Sequence, residues 1–187
     1  DLRYSMLGAC DIFGFVGNAC EPVYQKMGKD DADPHRGTID TDRFIDWVKY
    51  RLVPVLGKHR NREPRSIVVL DNAPIHHHPE VVRLIEEVAK AKIVYTAPYS
   101  PDLNPIEYYF KIYKDSLKRN QDIANRDPDR AHRIALCSVT AEHGANIFRK
   151  CKVPGCGSNN SEEDGIGKGE EADAMVHLLL TKMNRLN

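Results

Sequence analysis

The sequence predicts an α/β domain in which helices flank a sheet of mixed strand direction. Residues 67–70 and 93–96 are short apolar runs rich in β-branched side chains, as is typical of strands buried on both faces of a parallel sheet. A helical pattern follows each of these runs, and a hairpin-like segment precedes both. Strands and helices that alternate in this way after a hairpin favour an α/β sheet over an all-helical or an all-strand fold.

The first elements are a hairpin and a helix. Residues 4–10 and 15–23 read as two strands around a turn, and residues 28–38 as a loop with proline, glycines and acids. A helix then begins at Thr41, with Asp40 or Thr41 itself as its N-cap. Its apolar positions follow helical spacing and comprise Phe44, Trp47, Val48, Leu52 and Val55.

The remainder of the chain is mainly helical in pattern. A helix over residues 79–90 separates the two buried strands, and a loop with three prolines leads into a helix over about residues 105–119. Residues 129–152 are helical in pattern, with Thr140 as a cap, and residues 175–186 could form a short terminal helix. We therefore divide the chain into a domain at residues 1–120, a helical extension at residues 121–156 and an acidic, flexible tail at residues 157–187.

The composition excludes several classes of protein. The 187 residues contain 27 Lys and Arg and 27 Asp and Glu, so the chain is not a uniformly basic nucleic-acid coat. No apolar run approaches the roughly 18 residues that cross a bilayer, and no signal peptide is evident. An odd cysteine count without a secretory signal indicates reduced thiols and an intracellular protein. Because the sequence begins with Asp1, we expect it to be a piece of a longer protein.

Asp71 is the first candidate for a chemical role. It directly follows the buried strand of residues 67–70, at the carboxyl edge where open α/β sheets bind their ligands. The alternative is that its side chain only starts a turn through an Asx hydrogen bond.

Glu107 is the second candidate, and it also has a purely structural interpretation. Asn104, Pro105 and Glu107 occupy the N-cap, first and third positions of the predicted helix, which is a variant of the capping box. Glu107 also heads a row of lysines beside the apolar stripe of the helix. A solvated helix face would explain this row, but so would a metal-binding carboxylate beside ammonium groups that contact phosphates; the lysines are Lys111, Lys114 and Lys118.

Two carboxylates that converge at one sheet edge suit a hard divalent cation. Mg²⁺ takes oxygen ligands, keeps several waters and shares the phosphates of its substrate. Such ions assist phosphodiester chemistry at both the attacking and the leaving oxygen. If Asp71 and Glu107 converge, the sequence therefore predicts a site of this kind.

Two motifs resemble the DDE superfamily of mariner-like transposases. They are residues 69–76 (VLDNAPIH) and residues 97–107 (APYSPDLNPIE), with 35 residues between Asp71 and Glu107. The resemblance covers about residues 3–120 and includes the strand YSMLGA at residues 4–9. The stretch NIFRKC at residues 146–151 is similar to a C-terminal helix of eukaryotic members, although less closely.

The resemblance implies a ribonuclease-H-like fold that binds Mg²⁺ or Mn²⁺ through three carboxylates and cuts and joins DNA at transposon ends and targets. It makes Asp71 the second acid and Glu107 the third, with Asn72, His76 and Asn104 around them and the lysine row on DNA phosphates. It also implies a nuclear location in a eukaryote, with a homodimer as one arrangement.

The family's first acid lies on a strand upstream of residues 4–9, together with a helix-turn-helix region, so both fall outside this sequence. Neither Asp1, beside the wrong strand, nor Asp11, in the hairpin turn, is a substitute. We therefore expect little or no DNA cleavage by the chain alone.

Other residues suggest weaker hypotheses. Residues 76–78 are three consecutive histidines, which cannot all face one ion in regular structure and more simply lead into the next helix. Cys151 and Cys156, with His143 or His177, hint at zinc but lack paired Cys-x-x-Cys spacing. A basic stretch could contact DNA phosphates or be a solvated loop, and it comprises Lys49, Arg51, Lys58, Arg60, Arg62 and Arg65.

Two rival functions remain open. The first is a degenerate or domesticated transposase-derived module that binds DNA or protein without catalysis. The second is a hydrolase of small phosphoesters, which requires His76 or His78 to converge with Asp71 on a metal ion.

Overall fold

The computed structural model describes residues 3–25, 39–97, 101–153 and 177–182. Its six-stranded sheet has the order β2-β1-β6-β4-β5, and β3 also pairs with β1. β4 runs parallel to β5 and β6, whereas β1 runs antiparallel to its partners. The strands are β1 (Arg3–Asp11), β2 (Gly14–Phe15), β3 (Glu21–Gln25), β4 (Ile67–Leu70), β5 (Lys92–Tyr95) and β6 (His177–Lys182).

Helices cover both faces of this sheet. The first two helices each continue into a wider helical turn, over Val48–Leu52 after α1 and Arg83–Val88 after α2. The helices are α1 (Thr41–Trp47), α2 (Pro79–Val82), α3 (Pro105–Arg119), α4 (Gln121–Arg126), α5 (Pro128–Cys137) and α6 (Ala141–Lys150). The α/β class with a mixed sheet is confirmed, and the arrangement is compatible with a ribonuclease-H-like fold.

Alternation of side chains along β1 divides the core into two clusters. Leu7 and Ala9 pack with residues of α1, α2 and the segments that follow them. Met6 and Cys10 point to the other face, where they pack with residues of α3, α5 and α6. The extension that begins at α4 therefore contributes to the same hydrophobic core as the sheet and α3.

The hairpin forms only in part. The predicted turn is confirmed, because Cys10 pairs with Phe15 and Asp11 with Gly14. The continuous partner strand over residues 15–23 is wrong: the chain leaves the ladder after Phe15, makes a helical turn at Gly17–Ala19 and returns to β1 as β3. Val16 N–H still donates to the Ala9 carbonyl, which keeps the two segments together.

The C-terminal segment holds the largest difference from expectation. Where a terminal helix was predicted, residues 177–182 form β6, which lies in the sheet between β1 and β4. The apolar run of residues 178–180 fits either element, and β6 forms hydrogen-bonded ladders with both neighbours. The predicted loop at residues 28–38 and flexible segment at residues 157–173 lie outside the described residues.

The helix predictions are largely confirmed. Asp40 accepts a hydrogen bond from Arg43 N–H at the start of α1, and Thr140 caps α6 by accepting from His143 N–H. The helical pattern over residues 129–152 is two helices, α5 and α6, and α4 precedes them within the stretch of residues 121–156 that was predicted as a helical extension. The expected apolar stripe of α3 is buried and consists of Ile106, Phe110, Tyr113 and Leu117.

Gly144 brings α6 into close contact with the hairpin turn. A Cβ atom at this position would lie 2.1 Å from the Ile12 carbonyl oxygen and 2.6 Å from the Tyr109 hydroxyl oxygen. The Tyr109 hydroxyl in turn donates to the Asp11 carbonyl at 2.6 Å. A side chain at Gly144 would therefore push α6 off the backbone of the turn.

We predict that Gly144→Ala lowers the free energy of unfolding by about 1–3 kcal/mol, because the methyl group overpacks this contact. The matched control is Gly17→Ala, since nothing lies within 4 Å of a Cβ at Gly17. Urea denaturation followed by circular dichroism measures both changes. Equal effects of the two substitutions would contradict the contact at Gly144.

A buried polar pair joins α3 to α5. The Tyr113 hydroxyl lies 2.7 Å from His132 Nδ1 and donates to it when the imidazole is neutral. Burial disfavours the charged ring and lowers the pKa of His132 to about 4, with Asp129 opposing and Arg133 reinforcing the shift. Protonation of the ring would therefore remove an acceptor from the core.

The stability of the chain should fall as the pH drops from about 6.5 to about 4, because the unfolded His132 takes up a proton that the folded ring rejects. The contribution of neutral His132 to the free energy of unfolding is complete above pH 6.5. About 3 kcal/mol of that free energy is lost as the pH falls to about 4. In His132→Gln the loss of unfolding free energy over this pH range should be smaller than in the unmodified chain. Identical pH profiles for the two proteins would contradict the assignment.

Candidate active site

Asp71 lies at the carboxyl edge of the sheet, immediately after β4. Its Oδ1 accepts a hydrogen bond from Ala73 N–H at 2.9 Å, which is the Asx turn considered above. The same oxygen lies 2.7 Å from His76 Nδ1, and the side chain remains 35% exposed. The turn therefore fixes the carboxylate without removing it from solvent, and the structural and chemical roles are compatible.

The His76 ring supports Asp71 from inside the protein. The ring is fully buried, and its Nδ1 also lies 3.0 Å from the Asp71 carbonyl oxygen. Because both neighbours are acceptors, the Nδ1 atom carries a proton. Nε2 has no hydrogen-bond partner within the described part of the chain, and the Phe44 ring packs against the imidazole at a centroid distance of 5.1 Å. His76 thus connects the α1 side of the core to Asp71.

The loop after Asp71 is also fastened to the end of β5. The Asn72 side-chain amide donates to the Thr96 carbonyl, and the Tyr95 hydroxyl donates to the His76 carbonyl at 3.2 Å. The exposed His77 ring stacks on Tyr95 with centroids 4.2 Å apart. These contacts give the backbone around Asp71 support from the neighbouring parallel strand.

The three histidines at residues 76–78 have separate roles. His76 is buried against Asp71, His77 stacks on Tyr95, and His78 Nδ1 accepts from Glu80 N–H at the start of α2. The predicted loop into a helix is confirmed, as a helical turn over Pro74–His77 followed by α2. Among the described residues, His, Cys, Asp and Glu form no group of three or more that could hold a metal ion.

Glu107 lies in the first turn of α3. Asn104 caps this helix by accepting from Ile106 N–H at 3.3 Å, and Pro105 occupies the first helical position, as predicted. The cap uses the Asn104 side chain, and the Glu107 carboxylate forms no hydrogen bond with any part of the chain that the structure describes. The capping-box interpretation of the Glu107 side chain is therefore not needed to explain the helix start.

The pKa of Glu107 reflects three influences. Desolvation of its carboxyl group raises the pKa, the positive charge of Lys114 lowers it, and the negative charge of Asp71 raises it. Asp71 follows β4 at the carboxyl edge of the sheet, and Glu107 lies in the first turn of α3. The two acids, with 35 residues between them in sequence, are therefore coupled electrostatically.

The lysine row behind Glu107 follows α3 away from the site. Lys114, which is partly buried, acts on Glu107, whereas Lys111, one helical turn after Glu107, forms no ion pair with it among the described residues. Lys111 and Lys118 are exposed. Lys114 thus partly neutralises the carboxylate pair, and the other two cations remain open to solvent.

The donor set at this edge fits a hard cation. Asp71 and Glu107 offer carboxylate oxygens, and mutual repulsion between them is relieved when a cation binds both. Two carboxylates leave several coordination positions for water and phosphate oxygens, as is typical of Mg²⁺ sites. Asp71 and Glu107 could therefore offer carboxylate ligands to such an ion.

The remaining candidates lie elsewhere or serve the fold. Asp11 is buried and pairs with Arg65 at 2.9 Å, at the end of β1 that lies beside the start of the parallel strands. Cys151 Sγ donates to the Asp102 carbonyl, and burial raises the pKa of this thiol to about 11. His143 belongs to the cap of α6, and Cys156 lies outside the described residues. Cys151 and His143 are thus occupied in structural contacts.

Tyr95 and Thr96 are site-supporting residues that the motifs did not identify. Both contact the loop after Asp71, Tyr95 through its hydroxyl and Thr96 through its carbonyl. The sequence did contain a signal for them, because both residues end the second predicted strand. The carboxyl ends of parallel strands lie at the same edge of a sheet, where such folds bind their ligands.

Comparison with known proteins gives one match. A family model described as "DDE superfamily endonuclease" matches residues 28–129, more than half of the chain and a span that includes Asp71 and Glu107. Searches of curated proteins and of solved structures returned no match. Within the described residues, no helix is both long enough and apolar enough to span a membrane.

We predict that Asp71→Asn lowers the pKa of Glu107, because the substitution removes a repelling negative charge, and that Lys114→Gln raises it. Carboxyl ¹³C chemical shifts followed through a pH titration measure both changes. The control is Asp122→Asn on α4, which should leave the Glu107 titration unchanged. If Asp71→Asn also leaves it unchanged, the two acids do not share a site.

Proposed function

The chain belongs to the DDE superfamily of endonucleases, and from this premise we propose that it acts on the phosphodiester backbone of DNA. The finer proposal is a mariner-like transposase activity, in which DNA ends are cut and joined to a target. The observation that carries it is the family match over residues 28–129, within which Asp71 follows β4 and Glu107 lies in the first turn of α3. Two carboxylates at the carboxyl edge of parallel strands provide the oxygen ligands that this chemistry uses.

The proposed reaction is attack on a DNA phosphorus atom by water or by a DNA 3′-hydroxyl. A new phosphorus–oxygen bond forms, the bond to the leaving 3′-oxygen breaks, and the attacking oxygen loses a proton while the leaving oxygen gains one. Bound Mg²⁺ or Mn²⁺ would activate the attacking oxygen and stabilise the leaving one. Asp71 and Glu107 would hold that ion between them.

The other residues of the site would position these groups. His76 would keep the Asp71 carboxylate in place through its Nδ1–H, and the cap formed by Asn104 would fix the start of α3 beneath Glu107. Asn72 would hold the loop to β5 through the Thr96 carbonyl. The lysine row, Lys111, Lys114 and Lys118, would contact backbone phosphates by charge.

A second candidate is a DNA- or protein-binding module of the same origin that lacks catalysis. It is favoured by the finding that, among the described residues, no three His, Cys, Asp or Glu side chains form a group that could hold a metal ion. Two ligands bind a divalent ion more weakly than three. We accordingly expect the 187-residue chain to cleave DNA little or not at all without a further acid.

Metal binding tests the site independently of cleavage. We predict that Mn²⁺ binds the unmodified chain and that Asp71→Asn and Glu107→Gln each weaken binding at least about tenfold, the lower end of what loss of a supporting group costs a metal site. Isothermal titration calorimetry measures the affinities. Asp115→Asn, on the exposed surface of α3, is the matched control and should retain the affinity.

A plasmid-nicking assay with Mg²⁺ and Mn²⁺ separates the candidates. Weak metal-dependent nicking that Glu107→Gln abolishes would support the enzyme, and metal binding without nicking fits the expected shortage of ligands. Mn²⁺ affinity that neither substitution alters would contradict the proposed site. Robust nicking lost in Glu107→Gln would instead refute the expectation that two acids suffice only for weak activity.

A further inference from the structure

The sheet edge opposite Asp71 carries a concentration of positive charge. Two loops reach this edge, one before β4 and one before β5, and parallel pairing of Ile67 with Lys92 brings them side by side. His59 N–H donates to the Lys90 carbonyl and Lys92 N–H to the Ser66 carbonyl, both at 2.8 Å. The exposed cations of the two loops, which we call the amino-edge cluster, are Lys58, Arg60, Arg62, Lys90 and Lys92.

The basic surface in the structure differs from the basic stretch that the sequence suggested. Arg51 pairs with Glu21, and Arg65 pairs with the buried Asp11, so these two cations have structural partners. Lys49 lies over the Tyr50 ring. Lys90 and Lys92, which are distant in sequence, join Lys58, Arg60 and Arg62 in its place.

Few carboxylates oppose the amino-edge cluster. Glu63 interacts with the charge of Lys58 and accepts from Lys58 N–H and the Asn61 amide, while Glu86 accepts from Ile93 N–H. The exposed Glu87 lies three residues before Lys90, so three carboxylates stand near the five cluster cations. None of the five cluster cations forms a side-chain ion pair within the described part of the chain. The cations that do so are Arg43, Arg51, Arg65 and Arg83, besides His76 at Asp71. A chain with no net charge thus leaves a local excess of cations at this edge.

Two cluster residues also adopt an unusual backbone conformation. Arg62 has φ of 55° and Lys90 has φ of 60°, in the left-handed region that glycine or asparagine occupies at lower cost. Arg65, which pairs with Asp11, and Lys152, which lies outside the cluster, share this conformation, so it does not by itself mark a DNA contact.

We propose that the amino-edge cluster is a second DNA-contact surface, which binds the phosphate backbone of a duplex at the edge opposite the carboxylates. This inference rests on the proposed function, because it takes DNA as the substrate. The two edges are separated by β4, whose four residues span about 13 Å. Duplex DNA presents one negative charge per about 1.7 Å of axis, so several cluster cations can meet phosphates of one segment at once.

Salt dependence of DNA binding tests the proposal. Arg60, Arg62 and Lys90 are replaced together by Gln, and binding of a 5′-fluorescent duplex of about 30 base pairs is measured by anisotropy over a range of NaCl concentrations. Each lost phosphate contact reduces the slope of log K against log salt by about 0.9, so we expect a reduction of about 2.7. The reduction should be the same for duplexes of unrelated sequence.

The matched control carries the same change in net charge elsewhere. Arg126, Arg130 and Arg133 are exposed on α4 and α5, and their joint replacement by Gln should leave the slope unchanged. If the cluster variant and the unmodified chain bind DNA with equal slopes, the cluster does not contact DNA, and the inference is overturned while the proposed function is not. An equal reduction in both variants would also overturn it, because net charge alone would then govern binding.

Two further outcomes complete the test. If the unmodified chain binds no duplex even at low salt, the proposed function fails together with this inference. If poly-L-glutamate displaces the duplex at equal charge concentration, the surface recognises acidic polypeptides rather than DNA, and the inference is overturned while the Mn²⁺ test of Asp71 and Glu107 still stands. Circular dichroism and urea denaturation verify that both triple variants are folded.

Discussion

The buried contact between His76 and Asp71 is the interaction on which the candidate site depends. One atom of the ring, Nδ1, lies within hydrogen-bond distance of both the carboxylate and the carbonyl of Asp71. The ring also packs against Phe44 in the core. The position of an exposed acid is thereby set by hydrophobic packing, and the Tyr95 hydroxyl secures the same loop from the next strand. The His76 side chain consequently couples the core to the candidate site.

Much of this could be predicted from the sequence, because the decisive signals are local. The apolar run before Asp71, the proline beside Asn104 and the stripe through Phe110 each specify their element within a few residues. β6 could not be predicted in this way, since three consecutive leucines fit helix and strand alike and their pairing partners lie far away in sequence. Asp71 and Glu107 are candidates that the motifs predict, but the action of Lys114 on Glu107 depends on how α3 is placed in the fold.

Opposite charges lie at the two ends of the parallel strands. Asp71 follows β4 and interacts with Glu107, whereas the amino-edge cluster precedes β4 and β5. A formal net charge of zero conceals this separation, which only the folded arrangement shows. The asymmetry is a direct product of parallel pairing, because parallel strands put all their beginnings on one side and all their ends on the other.

The place of β6 in the sheet has a kinetic consequence. A strand from residues 177–182 joins β1, which begins at residue 3, to β4, so the central ladders connect the most distant parts of the described chain. Contacts of such large sequence separation slow folding, since a long loop must close before any of them forms. During synthesis, β1 and β4 would lack their shared neighbour until residues 177–182 had emerged. The strand edges that β6 later covers are templates for other strands during that interval.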